Sequence, residues 1–358
     1  MRMWYPTLVL VMAACGRTVT PTGPVTPVGA VDSTATDSTR TDTTVADTGA
    51  TPPDTSRTDS TGTTPPDTLH LPPADSGLAD LGLNASLNGR AVFPATDPWN
   101  QPVDTAAVDP NSTAILTQIG LSKPLHPDFG STFGIPYIVV PDTLTRSPVS
   151  FDYASESDPG PYPIPANPPI EPDGDGHLLV IVQHEWKLYE LFALSAIGGS
   201  WHGGSGAIFD LTHGTTRPAG WTSADAAGLP IFPGLVRYDE VYQRGEIDHA
   251  LRFTVQRTRS AYLAPARHSA SNSYDTLRPP MGMRVRLKAS FDISGYPPQM
   301  QVILRALKKY GMIVADNGGD FFVSGTADSR WNDALDDALK QVHVSDFEVI
   351  RMTGVVTQ

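Results

Sequence analysis

Apolar residues recur in short runs from Asn84 to the end of the chain, and turn-forming residues separate these runs. The run 178–182 is apolar at every position, which is typical of a strand that is covered on both faces. A second strand is predicted at 187–193, so that the two strands form a pair. Further strands are predicted at 135–140, 149–153, 206–211, 250–255, 262–265 and 285–291.

The clearest helix is predicted at 298–310. Two prolines open it, apolar residues recur along it at helical spacing, and a glycine follows its last turn. A shorter helix is predicted at 112–119, with Ser112 as its N-cap and Gly120 as its stop. Other short helices are predicted at 223–228, 239–244 and 333–342.

Two apolar runs, 312–315 and 321–324, flank the sequence Asp-Asn-Gly-Gly-Asp at 316–320. Turn residues between two such runs predict a β-hairpin. Strands and helices do not alternate regularly along the chain, which argues against a doubly wound parallel sheet. The sequence therefore predicts an α+β fold, with one β-rich globular domain over 84–358 and a few short helices.

Residues 16–83 differ from the rest of the chain in composition. They contain no aromatic residue, they are rich in Thr, Ser and Pro, and Asp recurs at every fifth position from Asp32 to Asp47. Such a segment cannot bury enough apolar surface to offset its chain entropy, so a disordered acidic linker is predicted. A calcium-binding repeat is disfavoured, because the glycines and the bidentate Glu of such loops are missing.

The first fifteen residues have the pattern of a lipoprotein signal peptide. Arg2 precedes a short apolar run at 8–12, and Ala13 and Ala14 lead into Cys15, the only cysteine of the chain. This sequence resembles a lipobox, which implies lipidation of Cys15 and anchoring to a membrane. The protein is then expected to be extracytoplasmic, with the outer membrane or cell surface favoured. The alternative is an ordinary N-terminal helix.

The charge of the chain bears on its partners. A formal net charge of −13 argues against nucleic-acid binding, which requires a basic surface. The histidines do not show the spacing of a zinc motif, so no metal and no cofactor are predicted. A metal site built from distant strands, for instance from His177, His202 and His249, stays open.

The glycine-rich segment 201–207 resembles the nucleophile elbow of a serine hydrolase, with Ser205 as the nucleophile. That motif needs a strand before the serine and a helix after it, whereas a strand is predicted after Ser205. A loop between strands is therefore the favoured interpretation. The acidic sequence at 173–176 resembles the start of a calcium loop, but a simple turn explains the same residues.

Several segments between about residue 93 and residue 348 resemble a family of secreted bacterial proteins that has no assigned activity. The resemblance is carried mainly by Thr-Ser-Ala-Asp-Ala-Ala-Gly-Leu-Pro at 222–230, Gly-Leu-Val-Arg-Tyr-Asp-Glu-Val at 234–241 and Gly-Glu-Ile-Asp-His-Ala-Leu-Arg-Phe at 245–253. It implies an extracytoplasmic location and supplies no reaction, so the chemistry has to be argued from the residues.

Carboxylates at predicted strand ends are the candidates for acid–base work on a glycosidic bond. The predicted catalytic residues are Glu246, Asp316, His249 and Glu190, and the predicted ligand-binding residues are Trp201, His202 and Trp221. We expect the reaction centre where the segments 201–206 and 221–246 converge. The alternative is that these acids pair with arginines in a structural network.

Location, acidity and loop aromatics together favour a lipid-anchored protein that binds or hydrolyses a neutral glycan, and the domain is a candidate glycoside hydrolase. The alternative is a non-catalytic structural or adhesion module of the cell envelope. Two carboxyl groups about 5–9.5 Å apart in an open cleft would favour the enzyme.

Overall fold

The computed structural model describes residues 77–172, 174–214 and 217–358. A five-stranded sheet has the order β1-β3-β5-β6-β9. Its strands, numbered in chain order, are β1 (Gly82–Leu83), β3 (Tyr137–Val140), β5 (Leu178–Val182), β6 (Lys187–Phe192) and β9 (Ser205–Asp210). Strands β5, β6 and β9 form an antiparallel meander, as the predicted pair at 178–193 required, whereas β3 and β5 are parallel.

A six-stranded sheet has the order β15-β12-β13-β10-β14-β2. Its strands are β2 (His126–Gly130), β10 (Leu251–Val255), β12 (Arg284–Leu287), β13 (Met312–Asn317), β14 (Phe322–Ala327) and β15 (Phe347–Val349). Two small sheets complete the β structure. One contains β4 (Val149–Phe151), β7 (Ser195–Ile197) and β8 (Ser200–Gly203), and the other contains β11 (Ala261–Tyr262) and β16 (Val356–Thr357).

The five-stranded sheet is covered on both faces, which explains the continuous apolar run in β5. Leu179 and Ile181 belong to the main core, which also contains the apolar side chains of the six-stranded sheet. Leu178 and Val180 point the other way, into a second cluster with Tyr162. Each β5 side chain is therefore buried whichever way it points, and the prediction for 178–182 is confirmed.

The prediction of a β-hairpin at 312–324 is wrong. Strands β13 and β14 are not neighbours, because β10 lies between them, parallel to β13 and antiparallel to β14. All five residues of β10 are buried, so this strand takes a central position in the sheet. The turn between β13 and β14 passes over the end of β10, and this order brings distant polar residues together.

The longer helices agree with the sequence. Helix α1 spans Ser112–Ile119 and helix α2 spans Pro298–Lys309. The N-cap of α1 is Asn111 rather than Ser112, since Ser112 is already helical and its Oγ accepts a hydrogen bond from the Val349 N–H at 2.8 Å.

The shorter predicted helices differ from the structure. Helix α3 covers only Asp333–Asp336, and a 3-10 turn continues it over Asp337–Gln341. Residues 239–244 form one wide π-type turn, and residues 223–228 form a loop rather than a helix. This loop is held by hydrogen bonds of its own side chains, as described below.

The domain is thus β-rich, with several sheets and a few short helices. Residues 77–83 belong to it although they precede the predicted boundary at residue 84, because β1 pairs with β3 and Ala79 is buried in the core. The predicted signal peptide, Cys15 and most of the predicted linker lie outside the described residues. Within the described residues, no helix has the length and apolar character needed to cross a membrane.

Candidate active site

An open cleft of about 250 Å³ lies beside the central strands of the six-stranded sheet. Strands β2, β10 and β13 contribute to its walls, together with the loop before β5 and the loop after β13. The ionisable side chains that line it are Asp128, Glu171, Asp175, His177, Arg252 and Asp316. Acidic groups therefore outnumber basic ones in this cleft.

Strand register brings three of the cleft's ionisable side chains, Asp128, Arg252 and Asp316, onto neighbouring parts of the sheet. Asp128 of β2 is opposite Ser324 of β14, and the Ser324 Oγ accepts a hydrogen bond from Nη1 of Arg252 at 2.5 Å. Asp316 of β13 is opposite Thr254 of β10, two residues beyond Arg252. The insertion of β10 between β13 and β14 is what brings Asp316 and Ser324 to opposite sides of the same arginine.

Arg252 is shared unequally between two carboxyl groups. Its Nε and Nη2 donate to the two oxygens of Asp225 at 2.7 and 2.9 Å, which is a bidentate contact. Its Nη2 is 3.6 Å from Oδ2 of Asp316, too far for a hydrogen bond. The Asp225 side chain is fully buried, whereas 19% of the Asp316 side chain is exposed towards the cleft.

This arrangement raises the pKa of the Asp316 carboxyl group. Burial raises the pKa of Asp316, the negative charge of Asp225 raises it further, and Arg252 opposes both, so that the pKa reaches about 8. A hydrogen bond from the Asn317 N–H to Oδ1, at 2.6 Å, also favours the ionised form but does not reverse the shift. A carboxylic acid at the wall of a cleft is a proton donor.

Asp128 is the second of these carboxyl groups. Burial raises its pKa, and the positive charge of Arg252 partly offsets this effect. Strands β2 and β13 are three spacings apart, and the register offsets Asp128 from Asp316 by two residues, so their Cα atoms are ~16 Å apart. Both residues line the same cleft.

Glu171 and His177 form a closed pair at one side of the cleft. The His177 Nδ1 is 2.6 Å from Oε2 of Glu171, and its Nε2 is 3.1 Å from the backbone oxygen of Ala224. Both partners are acceptors, so both ring nitrogens donate. Burial disfavours the charged ring, but the hydrogen bond and charge of Glu171 outweigh it and raise the pKa of His177. His177 is therefore a cation that is paired with Glu171, and it is not available as a base.

Apolar groups also line the cleft. Phe133 is 41% exposed at its rim, and Phe322 stacks on His126 with 4.0 Å between the ring centroids. Gly319 lies against the Phe322 ring, where a Cβ would be 2.7 Å from ring carbons. The glycine at this position therefore allows the loop after β13 to approach the aromatic wall.

Two of the predicted catalytic residues lie at or beneath this site. Asp316 lines the cleft, as described. Glu190 is fully buried, and its carboxyl group accepts hydrogen bonds from the Ile231 and Phe232 N–H groups at 2.8–3.0 Å. Burial raises the pKa of Glu190 to about 7 although these hydrogen bonds oppose the shift. It supports the 231–232 turn and does not line the cleft.

The other two predicted catalytic residues lie elsewhere. Glu246 is exposed and is not part of the cleft. His249 is buried, with Nδ1 2.8 Å from the Ala250 oxygen and Nε2 3.2 Å from both oxygens of Glu240. Glu240 also accepts from Arg237 at 2.5 Å. His249 thus belongs to a buried ion-pair network, which is the alternative that the sequence left open.

The predicted ligand-binding residues are not brought to the cleft either. Trp201 packs on the second core cluster, and Trp221 lies beside the buried Arg217, with 5.6 Å between its ring and the guanidinium. The segments 201–206 and 221–246 do meet, but the contact is a buried hydrogen bond from the Ser205 Oγ to the Ser223 oxygen at 2.6 Å. Ser205 is therefore not an exposed nucleophile.

His202 contacts Ser150 and Asp152 on an exposed face of the small sheet. Its Nδ1 is 3.0 Å from the Ser150 Oγ and its Nε2 is 3.1 Å from Oδ1 of Asp152. The residue types are those of a Ser–His–Asp triad, but the ring nitrogens are exchanged, because Nδ1 rather than Nε2 faces the serine. These residues do not line the cleft, and they lie beside each other on two paired strands with exposed side chains, so we do not place the active site there.

Sequence reasoning missed most of the residues that line the cleft. The sequence could have indicated Arg252, since a charged residue in the middle of the apolar strand 250–255 needs a buried partner. The sequence did not indicate Asp128, because Pro127 and Gly130 are not typical of a strand and β2 was therefore not predicted. Asp225 was placed on a helix that the structure does not contain.

None of the family models matches this chain. The comparison with curated proteins and the comparison with solved structures also returned no match. Among the described residues, no group of three or more His, Cys, Asp or Glu side chains has the arrangement of a metal site. The function therefore rests on the chemistry of the cleft.

Proposed function

We propose that the cleft binds a neutral glycan and hydrolyses a glycosidic bond by acid–base catalysis. The observation that carries this proposal is the position of Asp316, whose pKa is raised by burial and by Asp225, in an open cleft that also contains a second carboxyl group, Asp128. Asp316 donates its proton to the leaving oxygen of the glycosidic bond. Asp128 accepts a proton from the attacking water.

The separation of the two carboxyl groups favours one stereochemical outcome. Retaining enzymes need their carboxyl groups ~5–5.5 Å apart, whereas inverting enzymes leave ~6.5–9.5 Å for a water molecule. Two aspartates on strands three spacings apart are too distant for the retaining geometry. Of the two geometries, only the inverting one accommodates a wider separation with a water molecule between the groups, so the proposed reaction is a single displacement with inversion.

The charge of the cleft supports a neutral substrate. Arg252 is neutralised by Asp225, and His177 is neutralised by Glu171. Asp175 then adds an uncompensated negative charge at the cleft. A uronic acid or a sulfated sugar would be repelled, whereas a neutral ring meets hydroxyl-binding carboxyls and the apolar faces of Phe133 and Phe322.

The location of the protein is part of the same proposal. A lipobox-like sequence ending at Cys15 and an acidic segment before the domain support display of the domain outside the cytoplasm, on the outer membrane or cell surface. Neutral polysaccharides are accessible there, and a lipid anchor at Cys15 would be the contact with the membrane.

A release assay on purified chain tests the activity. Neutral, uronic and sulfated polysaccharides are incubated with wild type and with Asp316→Asn, and new reducing ends are quantified. We expect release from a neutral polysaccharide only, with a loss of ~10²-fold or more in the variant. Glu246→Gln removes a carboxylate outside the cleft and is the matched control.

Binding without release by any of the three classes would favour the non-catalytic envelope or adhesion module. Equal release by wild type and Asp316→Asn would exclude the proposed acid.

A further inference from the structure

We propose that Asp225 is a positioning residue for Asp316. It holds the Arg252 guanidinium in a bidentate contact, so that Arg252 donates no hydrogen bond to Asp316. The catalytic meaning of this inference rests on the proposed function. The contacts themselves do not, and they can be tested without any substrate.

Three of the five N–H groups of Arg252 donate to partners other than Asp316. Nε and Nη2 donate to Asp225 at 2.7 and 2.9 Å, and Nη1 donates to the Ser324 Oγ at 2.5 Å. Every nitrogen of the guanidinium thus has a hydrogen-bond partner other than Asp316. Asp316 is 3.6 Å from Nη2, where it feels the positive charge but receives no hydrogen bond.

Asp225 is itself held in place by the 223–228 loop. Its backbone N–H donates to the Ser223 Oγ at 2.9 Å, and its backbone oxygen accepts from the Gly228 N–H at 3.0 Å. Two residues on, the Ala227 N–H donates to the Ala315 oxygen at 3.0 Å, which fixes the loop to β13 directly before Asp316. The loop therefore has little freedom to release the arginine.

One cation between two carboxyl groups can neutralise only one of them. The carboxylate with two charge-assisted hydrogen bonds keeps the negative charge, and its charge then opposes ionisation of its neighbour. The other charged or titratable groups near Asp316 are contributed by β2 and by the loop before β5: Asp128, Glu171, Asp175 and His177. Of these, Asp175 also disfavours the ionised form of Asp316.

Carboxyl titration by ¹³C NMR tests the inference directly. Full-length protein with ¹³C-labelled aspartate is titrated, and Asp316→Asn and Asp225→Asn assign the two signals. In wild type we expect Asp316 to titrate near pH 8. In Asp225→Asn the freed guanidinium pairs with Asp316, whose affinity for the proton should fall by at least tenfold.

An unchanged Asp316 titration in Asp225→Asn would overturn the inference. So would a wild-type Asp316 carboxyl group that is already ionised at neutral pH. Ser324→Ala is the control, because it removes one hydrogen bond of Arg252 but leaves the Asp225 contact.

The outcome is separate from that of the release assay. If the titrations agree with the inference and no glycan is released, the charge arrangement stands and the proposed function fails. If glycan is released but Asp316 titrates as an ordinary carboxyl group, the inference fails alone.

Discussion

Asp316 owes its raised pKa to burial and to two neighbours rather than to its own sequence context. It lies at the end of β13, where burial, the charge of Asp225 and the poor contact with Arg252 keep it protonated. The sequence identified Asp316 as a carboxylate at a strand end, which is correct. It could not identify Asp225 or Arg252 as its partners, because they are 91 and 64 positions away.

The raised pKa of Asp316 predicts a pH dependence of stability. The carboxyl group has a pKa near 4 in the unfolded chain and of about 8 in the folded chain. Between these values the folded chain binds one more proton, so the free energy of unfolding decreases as pH rises. This group contributes up to ~1.4 kcal/mol per pH unit, and the decrease ends above pH 8.

Urea unfolding of wild type and Asp316→Asn at pH 5, 6, 7 and 8 measures this effect. We expect wild type to lose stability relative to the variant at each step. A constant difference between the two chains from pH 5 to pH 8 would show that Asp316 is an ordinary carboxylate. Glu246→Gln, measured in parallel, controls for removal of a carboxylate elsewhere.

The arrangement of strands and loops explains why the cleft is where it is. Strand β10 was predicted almost at its observed bounds, because its apolar residues alternate with Arg252 and Thr254. Its position between β13 and β14 was not predicted. The two glycines after Asp316 are equally compatible with a hairpin and with a turn that passes over a strand, and only long-range pairing distinguishes the two.

Strand β2, in contrast, was not predicted from the sequence at all. Pro127 and Gly130 are rare in central strands, but β2 is at the edge of its sheet, where the missing N–H of a proline costs no hydrogen bond. The physical reason for the missed strand is therefore its position in the sheet, which the sequence does not state. Asp128 was missed with it.

The contact between Arg252 and Asp225 should stabilise the junction of β10, β14 and the 223–228 loop. Arg252→Met leaves the buried Asp225 carboxylate without its cation, and we expect a loss of ~3–5 kcal/mol in the free energy of unfolding. Combining it with Asp225→Asn should restore part of this loss, since the double variant has no unpaired buried charge.

Chemical unfolding of the single and double variants at one pH measures these differences. Arg146→Met is the matched control, because Arg146 pairs with Glu185 at the surface and should contribute less than ~1 kcal/mol. Equal losses for Arg252→Met and Arg146→Met would contradict a structural role for the buried pair.

For the chain as a whole, the sequence and the structure address different parts. The sequence predicts where the protein is located from its first residues, and the structure describes the domain from residue 77 onward. The β-rich class was predictable from short apolar runs and turns. The cleft was not, because it is assembled from segments that span residues 128 to 322.

The predicted lipid anchor has its own test. Cys15→Ser removes the thiol to which the lipid would be attached, so we expect the variant to move from the membrane fraction to the soluble fraction of the producing cells. Immunoblotting of the two fractions, together with metabolic labelling by a fatty acid, measures this. Labelled, membrane-bound Cys15→Ser protein would contradict the lipobox interpretation.

The most direct test of the proposed acid is the pH dependence of glycan hydrolysis. The account predicts that kcat/KM for a neutral polysaccharide falls above pH ~8 as Asp316 loses its proton, and that Asp316→Asn is at least ~10²-fold slower below that pH. A variant that hydrolyses the substrate at the wild-type rate, with the same pH profile, would contradict the assignment of Asp316 as the catalytic acid.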